Sequence, residues 1–537
     1  MFARLFSRKD NPVTLASTRR TPPVVEACEP RQLLAVDVLT YHNNLERTGA
    51  NLNETILTTS NVRSSSFGKK FSFAVDGQVY AQPLYASRLS FQKAGRTVRR
   101  NMVYVATQHD SVYAFDADRG SRIWSVRALG TAFGETSVPA EDTGIDDVTP
   151  EVGITSTPVI DKATNTLYVV SKAKRGSGPP DESSYVFRLY ALDLITGAKK
   201  FGGPVILRAS VPGTGEGSSN GIVQFLARYE HQRPGLALHD GVIYIAFASH
   251  GDVGPYHGWV LGYDASNLQQ VKVWNTTPDG EKGGIWQSGG APAIDADGNM
   301  FIGVGNGTAD VQTGGSGYGS SFVRVPTSGT FAPTDFFIPS DFDRLNVDDL
   351  DLGSSGVVIL PDRTGAHPHQ LVFGGKEGKF YLADRDNLGG FNAGGDQILQ
   401  SLGPTDRGGV FSNPAYFNNR IFIASIGDPL ESYRIGTDRL VFSQTTGTDY
   451  RYPGATPSIS ANGADNGIVW VIRRSADDRA VLEAFSATNL TKRLYTSDQA
   501  GDRDHAGPYV KFTVPTIADG KVFMGTDGEL AVYGLLT

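Results

Sequence analysis

Along most of the chain, short stretches alternate large apolar residues with small or polar ones, and Gly, Asp or Asn separates each stretch from the next. A period of two bounded by turn formers predicts β-strands with two distinct faces. Residues 283–310, GGIWQSGGAPAIDADGNMFIGVGNGTAD, show the pattern clearly. Pro292 opens a strand at a position where a missing N–H is tolerated. Asp295–Gly298 supplies a turn, and MFIGVG is the returning strand. Trp286 stands before the first strand and Asn306 follows the second.

The same grammar recurs down the chain. Met102–Trp124, MVYVATQHDSVYAFDADRGSRIW, reads as strand, turn, strand, turn and a short strand ending in Trp124. Opening strands are expected at residues 81–85, 156–160, 233–238, 291–294, 355–360, 413–416, 456–459 and 514–517, all but the fifth with Pro near the start. Four strands per unit at fixed offsets is the form of a propeller blade. The expected fold is therefore all-β: an eight-bladed β-propeller of four-stranded antiparallel blades, with a seven-bladed ring as the alternative.

The last unit offers only three strands, VPTI, KVFMGT and LAVYGLL. KFSFAV at Lys70–Val75 has no partner of its own and would complete it, closing the ring without exposed edges. Tyr41–Ile56 reads as an irregular strap. Lys174–Ser184, Pro212–Ala227, Ala309–Tyr318 and Ser328–Asp349 are expected as insertions. Residues 36–537 would form one propeller, with 1–35 a separate segment.

Composition narrows the function classes. The 537 residues include 63 Gly and 10% aromatics, in keeping with many short strands and tight turns. A net charge of −7 without a basic stripe argues against nucleic acid as a partner. Cys28 is the single cysteine, so an internal disulfide, a Cys-based metal site and a CxxCH haem motif are excluded. No apolar run approaches the ~20 residues of a membrane span. The first 35 residues are basic and lack an apolar signal core.

VYVATQHDSVYAFDADRGSRIW resembles the repeat of pyrroloquinoline quinone (PQQ) propellers, and GGIW followed by DADGNMFIGVGNG resembles a quinoprotein alcohol dehydrogenase segment. CEPRQLLA at Cys28–Ala35 is similar to the LEPR-xLL segment of exported planctomycete proteins, with Cys28 in place of leucine; a disordered tail is the alternative. The family resemblance implies a site. Trp286 would form the floor under the quinone, Lys376 would contact it, and His231 is expected as a further cofactor contact. Asp252, Asn306 and Asp351 would be calcium ligands, with Asp351 also the catalytic base. The family's vicinal cysteines are absent from DVTPEVGITSTP, its arginine is replaced near Val152, and Val410 and Phe411 replace an Asn-Trp pair. A quinone pocket short of one wall and one clamp is therefore expected.

The chemistry suits these residue types. A tricarboxylate quinone needs a flat apolar platform, cations and a hard metal, and calcium takes oxygen donors. Each residue also has a plain structural alternative: Trp286 as seam packing, Asn306 and Asp252 as turn formers, Asp351 in a solvated acidic loop, and Lys376 exposed. His250 and His257 flank Asp252 and are ordinary loop residues unless they share a metal.

Three functions follow. The first is an extracytoplasmic PQQ- and calcium-dependent dehydrogenase of a small alcohol or sugar. The second is a non-catalytic envelope scaffold with a protein partner. The third is a polysaccharide-binding surface protein.

Overall fold

The computed structural model describes residues 36–93, 95–130, 134–176, 181–403 and 408–536. Those from 36 onward belong to one compact unit. The export-like segment and Cys28 lie outside the described residues.

The turn chemistry acts as the sequence requires. At Asp295–Gly298, Asp295 Oδ1 accepts from Asp297 N at 3.1 Å and Asn299 N at 2.8 Å. Gly298 takes φ 79°, where a side chain would be strained. The chain thereby reverses between Ala293–Ile294 and Asn299–Gly303. Phe322–Pro326 and Asp335–Ile338 complete that sheet.

Strand pairing yields eight such four-stranded antiparallel meanders among the described residues, plus a small ribbon, Ser210–Pro212 with Ile222–Gln224. The first meander runs Leu84–Lys93, Arg96–Ala106, Ser111–Asp116 and Ser121–Arg127, so its last strand continues beyond Trp124. The eighth runs Thr516–Ala518, Lys521–Gly525 and Asp527–Leu535, and its fourth strand is Phe67–Gln78 from the other end of the chain. The fold is a β-propeller.

The expected insertion Ser328–Asp349 needs correction. It contains Asp335–Ile338, the fourth strand of its sheet, which pairs in parallel with Gly390–Phe391. It also contains Phe342–Val347, the α-helix among the described residues. Thr327–Pro333 (TSGTFAP) hides the short strand behind turn-like composition.

Apolar clusters form the seams between sheets. Tyr104 and Leu167 share the seam of sheets one and two, and Phe301 and Leu371 that of sheets four and five. Phe73 and Val103 share the seam joining the eighth sheet to the first. Phe322 stacks on Phe373 across a seam at 4.1 Å. Each fully buried side chain of this size contributes roughly 1.5–3 kcal/mol.

The strap is more regular than its sequence suggests. The residue two after each opening Pro, or after Val357, directs its backbone toward the hub. Ile160, Ile294, Ile359, Tyr416 and Ile459 donate N–H to the carbonyls of Leu39, Leu45, Glu46, Thr48 and Gly49 at 2.8–2.9 Å. Tyr85 and Val38 exchange a pair of bonds, and Asn51 Nδ2 donates to Ile517 O at 2.8 Å. Residues 38–51 thus touch the inner strands of seven sheets in ring order. In the third sheet Leu236 N donates to Thr157 O instead.

Arg47 pins the strap. It is 1% exposed and donates to Pro292 O twice, Thr40 Oγ1, Tyr41 O and Asn44 O. Burial pushes its guanidinium down to about 9. Arg47→Ala is expected to lower stability by about 3 kcal/mol or more, because several buried carbonyls lose their donor. Leu52→Ala, at a residue 47% exposed, is expected to stay within about 0.5 kcal/mol. The shift in urea midpoint of the two variants measures this.

Candidate active site

Further along the inner strands, before the opening prolines, the hub widens into a cavity of about 410 Å³. This lies in the usual range for small-molecule sites, ~300–1,000 Å³. The approaches to all eight inner strands reach it: Tyr80, Asp147, Arg233, Trp286, Asp351, Phe411, Tyr452 and Phe512 are all on its wall. Asp252, Asp349, Lys376, His231 and Lys511 also line it.

Trp286, Asp252, Asp351, Lys376 and His231 therefore share one space, and Asn306 joins them through hydrogen bonds. Asn306 N donates to Asp351 Oδ1 at 2.8 Å, and its Nδ2 donates to Asp349 Oδ1 at 3.1 Å. Lys376 Nζ lies 2.5 Å from Asp349 Oδ2 and 3.6 Å from Asp351 Oδ2. Asn306 Oδ1 is buried and has no hydrogen-bond partner. An amide oxygen left in this state keeps lone pairs free for a hydrogen-bond donor or a cation.

Gly305 explains why the strand before Asn306 ends in Gly-Asn-Gly. A Cβ there would meet both Asp351 Oδ1 and Trp286 Cζ3 at 2.5 Å. Only glycine lets the indole and the carboxylate close on the backbone together. Trp286 Nε1 donates to Ser249 O at 3.0 Å, and its ring meets Tyr256 edge-on at 6.1 Å. Tyr256 Oη in turn donates to Asp252 Oδ1 at 2.6 Å, and Lys282 lies 3.6 Å from Asp252 Oδ2. Asp252 sits at φ 61°, as a turn former can, and also faces the cavity.

Burial governs the electrostatics. Desolvation raises Asp351 to about 6, with Lys376 and the Asn306 N–H opposing and Asp252 and Asp349 adding to the rise. Burial lowers Lys376, but Asp349 and Asp351 outweigh it and the net shift is upward. Arg233 and Lys511 are both pushed down by desolvation. Among the described residues Arg233 has no carboxylate partner. It donates to Ser288 O at 3.3 Å and lies over Phe512 at 4.8 Å and Tyr80 at 5.7 Å. A buried guanidinium held in this way is suited to an anionic ligand.

The cavity wall carries further rings and cations. Phe411, Tyr452 and Phe512 form a chain of edge-on rings at 5.7 and 6.1 Å. Arg233 and Lys511 bring cations that the resemblance did not indicate. Sequence reasoning had Phe411 only as a replacement for a family residue, and missed Arg233, Tyr452, Lys511, Phe512, Asp349 and Tyr80. A usable signal existed: Tyr80, His231, Ser354, Phe411 and Phe512 each stand three residues before the opening Pro or Val357.

No protein-family model matches the chain, and no curated protein matches it in sequence. Solved structures resemble it. A europium-containing methanol dehydrogenase superposes with a TM-score of 0.59 at 12% identity, over 93% of this chain and 98% of that one. A quinohemoprotein alcohol dehydrogenase from Comamonas testosteroni gives 0.57 at 15% identity, over 93% and 80%. Another, from Pseudomonas putida HK5, gives 0.55 at 15% identity, again over 93% and 80%. The chain shares the propeller fold of quinoprotein dehydrogenases.

The Asp351 shift has a stability consequence. Its folded affinity for a proton exceeds that of the unfolded carboxyl, so it contributes stability fully below pH ~4. That contribution is lost as pH rises through about 6, by on the order of 3 kcal/mol. Asp351→Asn is expected to flatten this decline, read by denaturation at closely spaced pH values.

Proposed function

We propose that the cavity binds a planar, polycarboxylated quinone of the PQQ type with a hard metal ion, and that the protein oxidises a small alcohol or sugar there. The observation that carries this reading is the unpartnered Asn306 Oδ1, set in one network with Asp349, Asp351 and Lys376 beside Trp286. The three neighbouring structures are dehydrogenases of methanol or alcohols, and one contains europium.

The residues fit both groups. Asp252, Asn306 and Asp351 offer oxygen donors for calcium, and Asp349 adds another carboxylate, which suits a trivalent lanthanide as well. Trp286 offers a flat apolar face, and Lys376, Arg233 and Lys511 offer positive charge to carboxylates. The chemistry a bound quinone supplies is hydride acceptance at an electrophilic carbonyl, with the ion neutralising charge.

The chain's own residues do the rest. Asp351 is ionised at neutral pH and receives the proton from the substrate hydroxyl. Lys376, 3.6 Å away, favours that ionised form. The Asn306 N–H fixes the carboxylate so that one oxygen stays turned to the cavity. Phe411 and Tyr452 bound the space left for substrate and limit water. The basic, LEPR-like segment at residues 1–35 supports a location outside the cytoplasm, with 36–537 as the working domain.

The test is reconstitution with PQQ and either calcium or europium(III), followed by gel filtration and dye-linked oxidation of an alcohol and aldose panel. One quinone per chain is expected. Asp351→Asn is expected to lower kcat by about 10²–10⁴ while quinone retention persists. Arg233→Ala is expected to weaken quinone retention roughly 30-fold. Failure to retain quinone with either ion overturns the dehydrogenase reading and leaves a non-catalytic binding propeller.

A further inference from the structure

A second constellation, separate from the Asn306 network, has Asp147 and His231 on the cavity wall and His250 buried against them. His231 ends the short strand Glu230–His231, and His250 directly follows Val242–Ser249. Pairing of Glu230 with Ser249 and His231 with Ala248 brings the two imidazoles together. Their rings stack at 4.1 Å with 14° between planes. Both nitrogen edges turn toward one carboxylate. His250 Nδ1 is 3.3 Å from each oxygen of Asp147, and His231 Nδ1 is 3.9 Å from Oδ2. One ligand atom from each of the three lies within 4.8 Å of the others.

The surroundings suit ligation. The imidazoles are 3% and 1% exposed, whereas the Asp147 side chain is 25% exposed at the cavity edge and can adjust. The outer nitrogens are held: His231 Nε2 lies 3.3 Å from Thr155 Oγ1 and His250 Nε2 lies 3.2 Å from Lys172 Nζ. Thr155 Oγ1 can accept the Nε2–H of His231, the arrangement that orients a metal-bound histidine, whereas Lys172 meets His250 Nε2 as a donor. Two imidazole nitrogens and one carboxylate form a donor set unlike the all-oxygen one at Asp252, Asn306 and Asp351. Such a set prefers a borderline divalent ion, of the zinc, cobalt or nickel kind, to calcium.

We propose that Asp147, His231 and His250 form a binding site for a divalent transition-metal ion, with its remaining coordination positions open to the cavity. This site is independent of whether a quinone occupies the hub. With an ion on Nδ1, His250 carries its proton on Nε2, toward Lys172. Lys172 keeps its bonds to the carbonyls of Glu230 at 2.7 Å and Arg228 at 3.1 Å while that contact is given up.

The probe is cobalt(II) alone, titrated into chelator-treated full-length protein and followed by visible absorption. One equivalent is expected, with bands stronger than those of the aqueous ion and displaced by zinc. His250→Gln and Asp147→Asn are each expected to weaken uptake at least tenfold, and Asp351→Asn to leave it unchanged. A spectrum like aqueous cobalt, or uptake lost in Asp351→Asn but kept in His250→Gln, overturns the proposal. Should His250→Gln fail to fold, copper(II) spin-echo modulation of the wild type decides. Modulation from two imidazole nitrogens supports the site, and its absence overturns it.

Discussion

A propeller has an inner rim as well as an outer one, and the inner strands must place their free backbone donors somewhere. Buried N–H groups without partners cost about 1–3 kcal/mol each. Here the repeat sends the N–H of the second residue after the opening Pro, or after Val357, toward the hub, and in six of the eight sheets a carbonyl of the strap receives it. Pro itself has no N–H, so its place in the repeat keeps the preceding level free of the same demand. The strap in turn relies on Arg47, whose fork ties it to Pro292 O and to its own backbone.

The cavity follows from that constraint. With the strap filling one level of the hub, the approaches to the inner strands surround the remaining space. The side chains found there are disproportionately charged or aromatic. Asp351 and Arg233 are the more deeply buried of these, so neighbouring charges act strongly on them. Asp351 holds its proton more firmly than a surface carboxyl, and Arg233 rests on rings in place of a counter-ion. A cavity that holds the Arg233 guanidinium without a carboxylate partner is suited to a ligand bringing the opposite sign.

Much of this was legible in the residues. The Pro-led strands and the orphan KFSFAV led to a β-propeller whose last sheet takes a strand from the other end of the chain. Trp286, Asp252, Asp351 and Lys376 were expected at matching points of consecutive units; Trp286 and Asp351 instead precede inner strands, Asp252 and Lys376 follow second strands, and all four line one cavity. Strand Asp335–Ile338 was hidden because its flanks, TSGTFAP and PSDFD, read as turns. Arg233 and Lys511 were missed for a different reason. They become neighbours of the acids only when sheets distant in sequence converge, and no local spacing records that. The His231–His250 pair is similar: nineteen residues separate two rings that strand pairing stacks at 4.1 Å.

The joining of Phe67–Gln78 to Asp527–Leu535 sets an order of events in the molecule's making. The strand synthesised near the beginning waits for a partner that emerges more than four hundred residues later. Until then the first and seventh sheets each lack a neighbour, and the strap has no complete circle to bind. Contacts of such long separation form slowly. A chain stopped short of Asp527–Leu535 therefore leaves the circle unlatched.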